Sequence, residues 1–285
     1  MTASTLPMHD KICLVTGATS GIGLVTARAL AQQGATVVVV GRSPERGKAT
    51  VQRLIQESGN PKVELLLADL SVQAQVRQLA AAFRQRFTRL DVLLNNAGAL
   101  FMQRQVSLDG IEMTFALNHL AYFLLTHLLL DTLQASAPAR IINVASEAHR
   151  GSQPHFAAPQ ESQRYGGWWA YCQSKLANLL FTYELARRLE GTAVTANATH
   201  PGFVATRFSR NNRGVLALLI RLAQLTALSP ERGAETLIYL ATSPAVQGIT
   251  GKYYVKNRAV ESSKASYDQA AAQRLWQLST QLTGL

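Results

Sequence analysis

Thr16-Gly17-Ala18-Thr19-Ser20-Gly21-Ile22-Gly23 stands between an apolar run at 11–16 and a helix-like run at 22–33. Glycines in a GxxxGxG spacing between a strand and a helix have separable jobs. One permits a tight turn, one lets backbone approach a pyrophosphate, and one allows close helix packing. The free N–H groups at the helix start favour an anion. An ordinary glycine-rich turn would carry similar letters, but the pattern continues beyond it. Strand-like runs at 36–40 and 63–68 alternate with helix-like runs at 44–58 and 72–87, giving βαβαβ. In the last of these, Val76, Leu79, Ala80, Phe83 and Phe87 make one apolar stripe to bury.

The alternation resumes with strands at 91–94, 140–145 and 193–198 and with helices around 117–133 and 169–189. The strands are short continuous apolar runs, as expected where helices cover both faces of a parallel sheet. The sequence predicts an α/β fold over 1–285: a single-domain, doubly wound parallel sheet of Rossmann-like type with helices on both faces. At 285 residues, 47% apolar and 16% charged, the chain can bury a sizeable core. No linker composition or repeat divides it.

Lysine and arginine exceed aspartate and glutamate by 28 − 17 = +11, which raises nucleic acid or an anionic membrane surface as partners. The basic residues are scattered, with no basic cluster interleaved with aromatics, so a merely cationic surface is favoured and no nucleic acid is expected. Residues 1–10 carry no apolar leader, and the long apolar stretches are broken by His119, His127, Asp131, Arg221 or Gln224. A cytoplasmic chain without a transmembrane segment is expected. Cys13 and Cys172 read as packing residues in a reducing compartment. No HxxxH, HExxH or CxxC spacing occurs, so no metal is expected.

Doubly wound sheets bind ligands outside the carboxyl ends of their strands. An NAD site places an acid at the end of the second strand, to hold the ribose hydroxyls, but here the chain reads Gly41-Arg42. A guanidinium without an acid suits the 2′-phosphate of NADP, with Arg46 and Ser43 as helpers. Arg42 could instead be a solvated loop charge. Asp69 is a plausible adenine contact, and Asn95-Asn96-Ala97-Gly98 closes the fourth strand where a cofactor would pass. Either asparagine could instead satisfy only backbone groups.

Tyr171 and Lys175 lie at i and i+4 on a predicted helix, which puts their polar ends on one face. Leu176, Leu179, Leu180 and Tyr183 form an apolar stripe beside them, so a surface pair on an amphipathic helix is the plain alternative. A free tyrosine titrates near 10. One that exchanges protons near neutrality needs about 4 kcal/mol of preferential stabilisation of its phenolate. A neighbouring lysine cation and an oxidised nicotinamide could supply it. Ser146, after the fifth strand, can align a carbonyl oxygen, and Asn118 could hold water linking Lys175 to solvent. Otherwise Ser146 is a cap and Asn118 a buried amide that satisfies backbone.

Taken together, TGATSGIG at 16–23, NNAG at 95–98, Asn118, Ser146, YCQSK at 171–175 and HPG at 200–202 resemble the short-chain dehydrogenase/reductase family across nearly the whole chain. That resemblance implies a tetrad of Asn118, Ser146, Tyr171 and Lys175. It also implies cofactor contacts from Gly17, Thr19, Ser20, Gly21, Ile22, Gly23, Arg42, Arg46, Asp69, Leu70, Asn96, Ala97, Gly98, Tyr171, Lys175, Pro201, Gly202, Val204 and Thr206. Residues 170–189, AYCQSKLANLLFTYELARRL, are most similar to the retinol dehydrogenase-like branch. This implies NADP(H), a lipophilic aldehyde, ketone, alcohol or retinoid-like substrate, and a homodimer or homotetramer. Animal relatives of that branch often carry an amino-terminal membrane anchor, which is not evident here.

The expected chemistry is hydride transfer between NADP(H) and a carbonyl or alcohol, with Tyr171 as general acid or base. An NADP(H)-binding regulatory protein and a light-dependent protochlorophyllide reductase-like enzyme are the alternatives, though the characteristic cysteines of the latter are not evident. Trp168, Trp169, Phe156 and Tyr165 either shape a substrate pocket or pack the long loop between Ser146 and Tyr171. Residues 206–228, rich in leucine around Arg221 and Gln224, read as a substrate lid. An ordinary core helix is the alternative, and the arginines at 207, 210, 213 and 221 would also suit a membrane surface.

Overall fold

The computed structural model describes residues 6–156, 165–204 and 228–285. The chain runs β1 (Ile12–Thr16), α1 (Gly21–Gln32), β2 (Thr36–Gly41), α2 (Pro44–Ser58), β3 (Val63–Leu67), α3 (Gln73–Arg86) and β4 (Val92–Asn95). A short turn α4 (Met113–Phe115) leads through a π-helical turn, Ala116–Leu120, into α5 (Ala121–Leu128) and α6 (Leu130–Ala135). Then follow β5 (Ala139–Val144), α7 (Gly167–Arg188), β6 (Val194–Thr199), α8 (Pro230–Thr242), β7 (Tyr253–Val255), β8 (Arg258–Val260) and α9 (Gln269–Thr283).

The strands form one sheet in the order β3-β2-β1-β4-β5-β6-β7-β8, parallel throughout except for the last pair. This is the doubly wound α/β arrangement that the alternation predicts. Successive strand residues alternate between two cores. Leu14, Val38, Leu93 and Ile141 pack with Phe83, Phe123 and Phe181 from α3, α5 and α7. Cys13, Val39, Leu94 and Ile142 pack on the other face with Leu30, Leu54 and Leu237 from α1, α2 and α8. Both cysteines are buried free thiols. The α3 stripe is buried as its spacing predicts, and Phe87 folds back onto Phe83 with ring centroids 5.0 Å apart. The chain order reverses between β1 and β4. A crevice therefore opens at their carboxyl ends, where the glycine loop and the Asn95-Asn96-Ala97-Gly98 segment lie.

Three parts of the sheet and its cover depart from the sequence reading. Among the described residues the expected six strands are eight, because a hairpin of two three-residue strands follows β6 in the sheet. Its turn residues Lys256 and Asn257 have φ of 50° and 62°, the left-handed pair that a tight hairpin needs. The helix read at 117–133 begins earlier, at Met113, widens into the π-turn, and breaks at Leu129 between α5 and α6. Helices α8 and α9 were not anticipated. The start of α8 repeats the Ser-Pro-Glu-Arg-Gly that begins α2. In both, serine accepts a hydrogen bond from the arginine N–H three residues on, at 3.4 Å for Ser43 and 3.3 Å for Ser229, and proline holds the first helical position.

Candidate active site

The glycine loop and the β4 loop are knitted together before any ligand is considered. The Thr16 hydroxyl accepts from the Asn96 N–H at 2.8 Å and the Ala97 N–H at 3.1 Å, and the Asn96 amide donates to the Thr16 carbonyl at 2.8 Å. The Asn96 side chain thus satisfies backbone carbonyls of the glycine loop. Gly17, at φ 65°, sits where a Cβ would meet the Ala97 Cα at 2.9 Å, and a Cβ on Gly23 would lie 2.6 Å from the Asn96 amide nitrogen. Neither position tolerates a side chain, so both serve close packing of this cradle. At the start of α1, Ser20 supplies no side-chain cap and no acid stands in the first turn. The N–H groups of that turn are left for an anion, which is the donor set a dinucleotide pyrophosphate requires.

Further along the crevice, Arg42 lines a cleft of about 250 Å³ with Asp69, Ser71, Phe101 and Met113. Arg42 and Arg46 are both exposed, and among the described residues neither forms an ion pair. Ser43 is occupied as the cap of α2 and by Glu45, to which it donates at 3.0 Å. The Asp69 carboxylate accepts from the Ser71 N–H at 3.0 Å and hydroxyl at 2.7 Å, which fixes the turn after β3, and Leu70 beside it is buried. Pro201, Gly202 and Val204 follow β6, where Val204 pairs with Leu228. Thr206 and the expected lid, apart from Leu228, lie outside the described residues.

Tyr171 and Lys175 are not a surface pair. They are 8% and 3% exposed, on a helix whose residues are buried continuously from Ala170 to Ala186. The Tyr171 hydroxyl hydrogen-bonds Ser146, which follows β5 and also caps the next turn by accepting from the Ala148 N–H at 3.2 Å. The Lys175 ammonium donates to the Val144 carbonyl at 3.0 Å and lies over the rings of Tyr171 and Tyr122, 5.6 and 5.9 Å from their centroids. Asn118 sits in the π-turn, a widened helical geometry frequent at functional sites. Its amide donates to the Ala99 carbonyl at 2.9 Å and Ser174 at 3.1 Å, and accepts from the Ala99 N–H at 2.9 Å. Both amide hydrogens are thus used. The side chain thereby holds the β4 loop to α7.

Burial dominates the electrostatics. It pushes the Tyr171 hydroxyl above its ordinary value, against the opposing hydrogen bond from Ser146, and it lowers Lys175 to about 7. The downward shift expected of Tyr171 is therefore not supplied by the protein's own side chains, because the lysine is itself desolvated.

A stability prediction follows from the same burial. The unfolded lysine titrates near 10.4, so below about 7 the fold bears the full cost of a buried cation, and between about 7 and 10.4 that cost declines as pH rises. Lys175→Met should raise the melting temperature of the protein without ligand, by several degrees near pH 6.5 and by less near pH 9. The Val144 carbonyl keeps a donor in Asn178, at 3.2 Å. Thermal unfolding at the two pH values checks this, and a variant that melts lower at pH 6.5 would count against it.

Of the four aromatic residues of the long loop, two pack it and two reach the surface. Phe156 is buried with Phe115, Leu176 and Leu180. The Tyr165 hydroxyl donates to the Phe101 carbonyl at 2.9 Å and Glu112 at 3.0 Å. Trp168 is 56% exposed with its ring 5.6 Å from that of Tyr171, and Trp169 and Phe203 are also exposed. Sequence reading missed Thr16, whose hydroxyl joins two loops, although it heads the glycine motif.

Residues 11–215 match the family model for short chain dehydrogenase, and the chain belongs to that family of oxidoreductases. Within the family it is most similar to the retinol dehydrogenase-like branch. Human retinol dehydrogenase 11 is 38% identical over 282 residues, covering 99% of this chain and 88% of that protein. Human polyprenol dehydrogenase is 38% identical over 286 residues, covering 98% and 87%. Among solved structures, a Pseudomonas aeruginosa RhlG/NADP active-site complex aligns with a TM-score of 0.71 at 29% identity, covering 93% of this chain and 100% of that one.

Proposed function

We propose that the chain interconverts lipophilic carbonyl compounds and alcohols with NADP(H), using Ser146, Tyr171 and Lys175 as its reacting-centre residues. The observation that carries this reading is the Tyr171–Ser146 hydrogen bond beside a buried Lys175, with the exposed Trp168 ring 5.6 Å from that of Tyr171. The nicotinamide supplies the hydride when bound, and the cradle of Gly17, Gly23 and the first turn of α1 suits its pyrophosphate. Ser146 donates to the substrate oxygen and fixes its position. Tyr171 delivers a proton to that oxygen as negative charge grows on it, and the Lys175 amine stands 5.6 Å from the centre of the phenol ring. Arg42, with Arg46 beside it, reads the 2′-phosphate.

The names of two relatives, retinol and polyprenol dehydrogenases, support a long apolar alcohol or its carbonyl partner. Trp168, Trp169 and Phe203 supply apolar surface for such a chain to cover, at about 25 cal/mol per Å². The test is a panel of short and long aldehydes and ketones, with NADPH and NADH oxidation followed by absorbance. Turnover should rise with apolar chain length and prefer NADPH. Reduction of no carbonyl with either cofactor would remove the reading.

A further inference from the structure

His149 is fully buried one turn beyond Ser146, and both of its ring nitrogens have partners. Nδ1 lies 2.6 Å from the Ser146 carbonyl oxygen, which can only accept, so Nδ1 carries the proton. Nε2 lies 3.0 Å from the Ser263 backbone nitrogen, which can only donate, so Nε2 carries none. One neutral tautomer alone satisfies both bonds. The ring meets Tyr253 edge to face, with centroids 5.3 Å apart at 75°, and burial pushes its proton affinity below the ordinary value.

The same short turn is tied to the carboxyl-terminal part of the chain on either side of His149. Glu147 accepts from the Tyr253 hydroxyl at 2.7 Å, and Arg150 donates to the Glu261 carbonyl at 2.7 Å. Of these three side chains, it is that of His149 that hydrogen-bonds Ser146. The Ser146 carbonyl accepts twice from His149, from its ring and from its backbone N–H at 3.1 Å, while Ala148 holds the serine hydroxyl.

We propose that His149 is a positioning residue: its Nδ1–H tautomer clamps the Ser146 carbonyl, sets the direction of the Ser146 hydroxyl, and fixes it to the Ser263 segment. This rests on the reading of Ser146 as a reacting-centre residue. Two substitutions separate the two bonds. An asparagine amide reaches the place of Nδ1 and keeps a donor for Ser146, whereas a glutamine amide reaches the place of Nε2 and keeps only an acceptor for Ser263.

His149→Gln should lower kcat about ten-fold, with carbonyl KM and NADPH affinity within two-fold, since misplacing a reacting group by 1 Å can cost about 10²-fold. His149→Asn should recover most of that kcat even where it melts lower than His149→Gln. Nitrogen NMR of the wild-type ring at pH 7 should show a protonated Nδ1 and an unprotonated Nε2. The opposite tautomer would overturn the inference. So would variants whose kcat losses simply follow melting temperature, or two variants at wild-type kcat. An active wild type with any of those three outcomes strikes this inference alone, whereas a wild type that reduces no carbonyl strikes the functional reading and the positioning role with it.

Discussion

Tyr171→Phe is expected to lower carbonyl reduction by about 10²- to 10⁴-fold, the usual contribution of a positioned proton donor. NADPH affinity should stay within a few-fold. The substitution removes only the hydroxyl that bonds Ser146, and the ring keeps its place beside Trp168 and over the Lys175 ammonium. Because burial holds this hydroxyl above its ordinary titration range, it is a proton donor throughout the neutral range, the state that reduction uses. Alcohol oxidation needs the deprotonated form, so its rate should climb with pH over the range in which reduction stays level. Single-turnover measurements, which isolate chemistry from release, make the comparison clean. A variant retaining half of the wild-type single-turnover rate would remove Tyr171 from the mechanism.

The sequence was most informative where backbone geometry leaves few choices. The glycines of 16–23 and the continuous apolar strands each have a local cause, and the structure places them where those causes require. The β7–β8 hairpin was not legible, because its left-handed turn is made by Lys256 and Asn257 rather than by a glycine pair. Helix α8 was announced by Ser229-Pro230, but only a comparison with Ser43-Pro44 shows it. In the site, residue types were legible and their surroundings were not. The spacing of Tyr171 and Lys175 is the same on a surface helix as on one buried on nearly every side, and only packing tells them apart. Burial in turn raises the Tyr171 hydroxyl in the chain without cofactor, a contribution that spacing alone does not show. Asn118 shows the same limit, since its partners Ala99 and Ser174 are set by packing and carry no signal in the sequence. His149 carries no motif signal at all, because its two partners, Ser146 and Ser263, are far apart in the chain.

Arg42→Ala should weaken NADPH binding by about 10- to 150-fold and leave NADH nearly unchanged, since a charge-assisted hydrogen bond contributes roughly 1.5–3 kcal/mol. Arg42 stands directly after β2, where a ribose-binding acid would stand in an NAD site, and it lines the crevice with Asp69. It forms no ion pair among the described residues, so its guanidinium needs no release from a partner before it meets a phosphate. Arg46, in the first turn of α2, is also exposed but does not line that crevice, and it should give a smaller loss when replaced; the Ser43 cap depends on its backbone N–H and not on its side chain. Added salt should narrow the gap between NADPH and NADH in the wild type, as screening weakens an exposed phosphate contact, and should change little in Arg42→Ala. Titration of both dinucleotides against both proteins at low and high salt measures all of this. Equal losses for NADPH and NADH in Arg42→Ala would show that Arg42 supports the fold of the crevice and does not read the phosphate.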